Sequence, residues 1–303
     1  MNIIQIFKQF PTQESCVKYL EDKRWHGKPV CVYCGRDKVS SHHEKNRSSR
    51  LQCSACKKSF SVTMGTIFHD SRLPLQKWFL AISLILNAKK GISSRQLARD
   101  LEVHVETAWS MGHRIRKAMQ QDEGLLLKGI VEMDETYVGG KPRKEAKKKD
   151  NDDDNKPAAN KRGRGTKKQA VVGMIERKGN VKAQMANNNK LTFKILSAIV
   201  RKHIDTAKTT LCTDEFKAYS KMQSIIEHKQ IDHSAGIYSI NGISTNCMES
   251  FWVILKRGII GQFHKVSKKY LNKYLDEFCW RFNNRENEFA FENMLGNMLL
   301  FSR

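Results

Sequence analysis

The sequence predicts an α/β protein: one mixed sheet covered by helices, preceded by a small metal-binding ribbon and a helical module. Three observations predict it. From Val131 onward the apolar pattern reads three strands, helix, strand, helix, strand, helices, an order that builds one mixed sheet with helices packed on it. Near the start, Cys31-x-x-Cys34 and Cys53-x-x-Cys56 form two paired-cysteine turns with 18 residues between them. Residues 72–122 carry apolar side chains at three- and four-residue spacing, the mark of amphipathic helices.

Residues 1–28 read as a helical segment. "FPTQESCVKYLEDKRW" is its helix, with Thr12 as a cap and Cys16, Tyr19, Leu20 and Trp25 on the apolar side. Cys16 has no partner at metal-ligand spacing and reads as core. Residues 29–65 read as a zinc ribbon. Each C-x-x-C turn aims two thiolates at one point, and two such turns close a tetrahedral site. Cys31, Cys34, Cys53 and Cys56 leave no open position, so the zinc they would hold is structural. "RLQCSAC" and "KSFSVTM" supply short strands. His42 and His43 stay open as further ligands or as part of a solvated hairpin.

Residues 72–122 read as a helix-turn-helix region. Pro74 falls in the first turn of a helix, where its missing N–H is tolerated. Ser93–Leu101 forms a short helix, followed by a tight turn and a longer helix from about Val105 to Met119. Val105, Ala108, Gly112, Ile115 and Met119 make its buried side. Glu106, Thr107, Ser110, Arg114 and Lys117 make the outward side, so this second helix is the candidate groove reader. A plain packing module is the alternative.

Residues 127–303 read as the α/β domain. Its first strand is "VEMDETYVGGK", ending at Gly139 and Gly140. The stretch 141–168 holds twelve Lys and Arg against five Asp and Glu, net +7, with almost no apolar residues. That composition predicts a poorly ordered loop. It suits either a phosphate backbone or a tolerated surface insertion. Beyond it come a hairpin turned at Lys178–Asn180, an amphipathic helix "LTFKILSAIVRKHI", a strand "TTLCT" ending at Asp214 and running into a helix, a short strand in "SIIEHKQIDHSAG", and two long helices.

The formal net charge is +23, from 54 Lys and Arg against 31 Asp and Glu in 303 residues. Such an excess points to a polyanionic partner, most often nucleic acid. No apolar run reaches the roughly 18 residues of a membrane span, and the start lacks the pattern of a secretory signal. The expected location is therefore the cytoplasm, with reduced cysteines.

Against that basic background three acids stand out. Asp134 lies inside the first strand, Asp214 at the carboxyl end of a later one, and Glu249 in a helix, with 34 residues between the last two. Carboxylates gathered at one sheet edge suit Mg²⁺, which takes hard oxygen ligands and phosphate. Two such metals activate an attacking oxygen and stabilise a leaving one. Asn246, Glu249, Val253 and Lys256 share one helix face, and Met248, Trp252, Leu255 and Ile259 another. Plainer readings stand beside these. Asp214 suits a helix N-cap, Asn246 and Glu249 suit a capping box, and Glu132 or Glu135 suit solvated strand ends. Alternation places Glu132, Asp134 and Thr136 on one face and Glu135 on the other.

These motifs, in this order, resemble DDE-type insertion-sequence transposases with an N-terminal zinc ribbon. The resemblance rests on the ribbon, "DSRLPLQKWFLAISLILNAKKGISSRQLARDL", "VEMDETYVGGK", "TDEFKAY", "DHSAG" and "NCMESFWVILKRGIIGQFHKVSKKYLNKYLDEFCWRFNNR", and covers about Cys31 to Arg285. It implies a ribonuclease-H-like catalytic domain. It also implies Mg²⁺- or Mn²⁺-dependent cleavage of double-stranded DNA at terminal inverted repeats, with transfer of the 3′-hydroxyl to target DNA. Asp134, Asp214 and Glu249 match the metal-binding triad, Lys256 its basic companion, Asn246 a secondary candidate, and His233 a position of unassigned role. Relatives act as homodimers or larger assemblies on DNA, in the nucleoid of a bacterial host. Two departures stand in the turn of the helix-turn-helix: Glu102 where glycine is common, and His104 in place of a small cap. The alternatives are a catalytically silent DNA-binding regulator and a nuclease that cuts without joining.

Overall fold

The computed structural model describes residues 1–44, 47–120, 124–139, 168–187, 190–231 and 245–300. The basic stretch 141–167, His233 with the rest of "DHSAG", and the side chains of His42 and His43 lie outside the described residues. The chain divides into two compact units, Met1–Gln120 with Asn284–Arg303, and Gln121–Asn283.

In the first unit, α1 (Ile3–Gln9) precedes α2 (Gln13–Trp25). Thr12 caps α2 and exchanges hydrogen bonds with Ser15 in a capping box. Cys16 and Leu20 are buried on its inner side. Strands β1 (Val39–Glu44), β2 (Arg47–Cys53) and β3 (Ser59–Phe60) form an antiparallel ribbon in that order. Helices α3 (Leu75–Asn87), α4 (Ser94–Leu101) and α5 (Val105–Ala118) follow. Pro74 is the N-cap of α3 rather than a first-turn residue.

Three residues join α4 to α5. Glu102 closes α4 in the left-handed region at φ 51°, where a side chain costs roughly 1 kcal/mol over glycine. His104 caps α5 without a side-chain hydrogen bond. The buried stripe of α5 holds Ala108, Met111, Ile115 and Ala118, but Val105 is 46% exposed. It is the first helical residue and lies beyond the reach of the core. Arg114 also departs from the outward face expected of it. It is half-buried, stacked over the Trp78 ring at 5.4 Å and donating to the His69 carbonyl.

The second unit is a five-stranded sheet with helices on both faces. Its strands are β4 (Leu127–Val138), β5 (Gln169–Glu176), β6 (Val181–Met185), β7 (Ile204–Thr213) and β8 (Glu227–Gln230). Their spatial order is β6-β5-β4-β7-β8. The first three pair antiparallel, and β4-β7 and β7-β8 pair parallel. This is the ribonuclease-H-like mixed sheet that the resemblance implied. Helix α6 (Phe193–His203) buries Leu196, Ile199 and Val200 in a core with Val131, Met133, Val172 and Leu211. Helices α7 (Asn246–Gly261) and α8 (Lys268–Asn283) bury Phe251, Trp252, Leu255, Leu275 and Phe278 in a second core, with Val171, Ile175 and Val181.

The strand before Asp214 begins at Ile204, five residues earlier than the "TTLCT" read from sequence. No α-helix follows it. Two 3₁₀ turns, Lys217–Tyr219 and Met222–Ser224, take that place. The last helix, α9 (Ala290–Leu300), clusters with the first unit rather than the sheet. The Phe291 ring meets that of Phe79 at 5.9 Å, and the Met298 carbonyl accepts from the Ile67 N–H.

Candidate active site

The sheet brings two of the acids together. In the parallel pairing of β4 with β7, Glu132 lies beside Cys212. Beyond this last registered pair the two strands carry Asp134 and, just past the end of β7, Asp214, close enough for the Asp214 charge to act on the Asp134 carboxyl. Both are half-buried. Burial, then the charge of Glu135, then that of Asp214, push the Asp134 carboxyl up to about 7, against the pull of a hydrogen bond from Trp252. Asp214 does not cap a helix. Its Oδ1 accepts from the Phe216 N–H, while the N-cap of the following 3₁₀ turn is Phe216. The local turn fixes the carboxylate at the mouth of the strand. Behind it, Thr213 is buried and shares a 2.9 Å hydrogen bond with His228 of β8.

Helix α7 reaches this pair through Trp252, whose Nε1 donates to Asp134 Oδ2 at 3.0 Å. Asp134 faces Gly173 across the β4-β5 pairing. A Cβ on Gly173 would lie 2.5 Å from Met248 Cε and 2.6 Å from the Trp252 ring, so only glycine lets the indole lie flat enough to reach the carboxylate. Asn246, Glu249, Val253 and Lys256 are exposed along one side of α7, while Met248, Trp252, Leu255 and Ile259 are buried on the other. Glu249 stands one turn before Trp252. Its carboxylate is not gathered with the two aspartates. Among the described residues, the four cysteines are the one group of three or more His, Cys, Asp or Glu whose ligand atoms cluster closely enough to share an ion. Asn246 and Glu249 form no capping box, because the N-cap of α7 is Thr245.

Two acids read as possible solvated strand ends are engaged instead. Glu132 is fully buried. Its Oε2 accepts from the Cys247 and Met248 N–H groups at 2.9 and 3.2 Å, and its Oε1 from Arg177 Nε at 3.0 Å. Glu135 points to the other face and accepts from the buried Tyr219 hydroxyl at 3.0 Å.

The ribbon's four thiols form a compact set. Cys31 and Cys56 Sγ lie 3.6 Å apart, Cys34 and Cys53 Sγ 3.7 Å apart, and all four Sγ atoms lie within 4.8 Å of one another. These separations are too long for disulfides at about 2.05 Å. They suit a tetrahedron whose metal–sulfur bonds are about 2.3 Å, which sets sulfurs about 3.8 Å apart. The Cys31 Sγ also accepts from the Tyr33 N–H at 3.4 Å, which helps a thiolate. The cluster fits a structural zinc ribbon.

Residues 126–283 match the family model described as the ISXO2-like transposase domain. The chain belongs to this transposase family. Residues 11–59 of the transposase match a second model, the transposase zinc-ribbon domain, which coincides with the cysteine cluster. A relative from Halobacterium salinarum, described as an uncharacterized protein in transposable element ISH50, is 25% identical over 283 residues, covering 90% of this chain and 92% of its own. The transposase is also similar to solved structures of Mos1 transposase. A pre-cleavage Mos1 transpososome matches at 12% identity over 71% of this chain and 76% of that one, with a TM-score of 0.25. A Mos1 paired-end complex with the left transposon end matches at 13% identity over 74% and 80%, with a TM-score of 0.28. At such scores the fold assignment rests on the strand order itself. The family makes this chain a DNA transposase of an insertion sequence.

Sequence reasoning singled out Asp134, Asp214 and Glu249 in the transposase but not the residues that surround them. Glu132, Gly173, Trp252 and Tyr219 each act through a partner distant in the chain. The only signals of the first were its place two residues before Asp134 and its unbroken alternation with it.

Proposed function

We propose that this transposase cuts double-stranded DNA at the ends of its element and joins the freed 3′-hydroxyl to target DNA, using divalent metal held by Asp134, Asp214 and Glu249. What supports this reading is the closeness of Asp134 on β4 to Asp214 after β7, strands that pair parallel, in a chain of net charge +23. The charge of Asp214 disfavours ionisation of Asp134, a penalty a cation would relieve, and an all-oxygen donor pair suits Mg²⁺ or Mn²⁺. Bound there, such ions activate an attacking oxygen and stabilise a leaving oxygen in phosphodiester chemistry.

The chain's own residues do the rest. Asp134, fixed by Trp252, and Asp214, fixed by its local turn, present oxygens to one point. Glu249, exposed in the first turn of α7, completes the site by side-chain rotation. Lys256, two turns further along the same exposed side, meets a DNA phosphate, and Asn246 flanks Glu249. The excess of Lys and Arg binds the DNA, with α5 as the groove-reading element and a dimer or larger assembly pairing two ends. The cysteine cluster holds one structural zinc. Among the described residues no helix is long and apolar enough to cross a membrane.

The test uses labelled duplexes carrying the inverted repeats that flank the gene, with Mg²⁺ or Mn²⁺. Changing even an outer partner of a metal costs about 10–100-fold. Asp134→Asn, Asp214→Asn and Glu249→Gln should therefore each lower cleavage by at least ~100-fold. Products longer than the substrate mark joining and separate transposition from plain nuclease action. Wild-type activity in both Asp134→Asn and Glu249→Gln would sink the triad. Elemental analysis should find one zinc per chain, and a folded protein without zinc would remove that assignment.

A further inference from the structure

The N-terminus of α7 is capped from another element. Its N-cap, Thr245, makes no side-chain hydrogen bond to the helix. The second and third helical amides, Cys247 and Met248, ordinarily bond the N-cap side chain. Here both donate to one carboxylate oxygen of Glu132, on β4 more than a hundred residues earlier. The other oxygen is held by Arg177. A negative charge suits the positive end of a helix, and Glu132 meets that end fully buried.

Glu132 and Asp134 are alternate residues on one face of β4. Glu132 grips Cys247 and Met248, and Asp134 grips Trp252. Two strand residues span about 6.7 Å, and the four helix residues from Met248 to Trp252 span about 6 Å. The two grips therefore match in spacing and fix both the depth and the rotation of the first turn of α7. Glu249 is the residue after Met248, inside that clamped turn.

We infer that Glu132 is a positioning residue of the transposase, a cap supplied by the strand that carries Asp134 and aims Glu249 at the metal site. It touches neither metal nor DNA. The alternative is an ion pair with Arg177 that serves stability alone. The inference rests on the reading of Glu249 as a metal ligand, so its test measures the clamp and the ligand separately.

The full-length protein is titrated with Mn²⁺ alone, and amide exchange is followed in peptides covering residues 245–255. Glu132→Gln should speed exchange at the start of α7 and weaken Mn²⁺ binding about 10-fold. Glu132→Gln with Arg177→Gln removes both members of the ion pair. It should regain thermal stability yet keep the fast exchange and the weak Mn²⁺ binding. Recovery of exchange and Mn²⁺ affinity together with stability would show an ion pair only and overturn the inference. So would a folded single variant with unchanged exchange. If Glu249→Gln leaves Mn²⁺ affinity intact, the ligand reading fails, while the exchange data still decide whether Glu132 clamps the helix.

Discussion

Asp134 carries opposing demands at the residue scale. As the proposed ligand of a cation it would have to ionise, yet burial, Glu135 and Asp214 all favour its neutral form, and its carboxyl is pushed up to about 7 from an ordinary 3.8. The sign of the resulting linkage is the reverse of the usual acid. Between 3.8 and about 7 the native state holds a proton that the unfolded state has lost. The metal-free protein therefore loses stability from this group as pH rises through that window. A divalent ion must displace the same proton, because ligands bind deprotonated. Mn²⁺ binding should thus release most of a proton at pH 6 and little at pH 8, and it should tighten over that range. Calorimetry in two buffers of different ionisation enthalpy measures the release. Release equal at both pH values would mean that this carboxylate does not receive the ion. Asp134 could be singled out from sequence because an acid in an alternating strand of a basic chain is locally odd. Glu132 could not. The amides and guanidinium that make its burial tolerable come from Cys247, Met248 and Arg177, and only folding brings them to it.

At the element scale, the placing of α7 on the sheet depends on one absent side chain. Gly173 leaves the space into which Met248 and Trp252 descend. Gly173→Ala would force a methyl against a methionine end, which can move, and an indole, which is hemmed in by Phe251 at 5.5 Å and tied to Asp134. Overpacking of this kind costs about 1–3 kcal/mol. Urea unfolding should show that loss, with weaker Mn²⁺ binding as Trp252 withdraws from Asp134. A substitution without effect on either would show that α7 is not seated by this contact. Most elements were legible because their signals are local: alternation for β4, the turn at Lys178–Asn180 for the hairpin of β5, three- and four-residue spacing for α6 and α7. The misreadings share a cause. Residues at the rim of an element have weak patterns, as in the polar start of β7 at Ile204 and in Val105 at the first turn of α5. The stretch after Asp214 has helix-like composition but closes only 3₁₀ turns, with Tyr219 drawn inward to Glu135.

At the scale of the whole molecule, the chain leaves its first unit at Gln120, builds the sheet, and returns at Asn284. Sequence alone ran the α/β domain to residue 303, because the apolar side of α9 shows that it packs without showing on what. The structure gives it to the unit of α3 and the ribbon, where Phe291, Met294, Leu295 and Met298 are buried. Side chains of this kind contribute about 1.5–3 kcal/mol each as an upper estimate, so together they rival the 5–15 kcal/mol that holds a typical domain. Ending the chain at Asn283 should therefore unfold or strongly destabilise the first unit. The sheet should survive, since its two cores draw on residues of the second unit alone. Scanning calorimetry should then lose one transition and keep the other, and Mn²⁺ binding at Asp134 and Asp214 should persist. Removal of zinc by a chelator should act on the same unit and leave the same remainder. If either treatment abolished both transitions together, the two units would be one cooperative body, and α9 would support the sheet that carries the acids as well as the helices it touches.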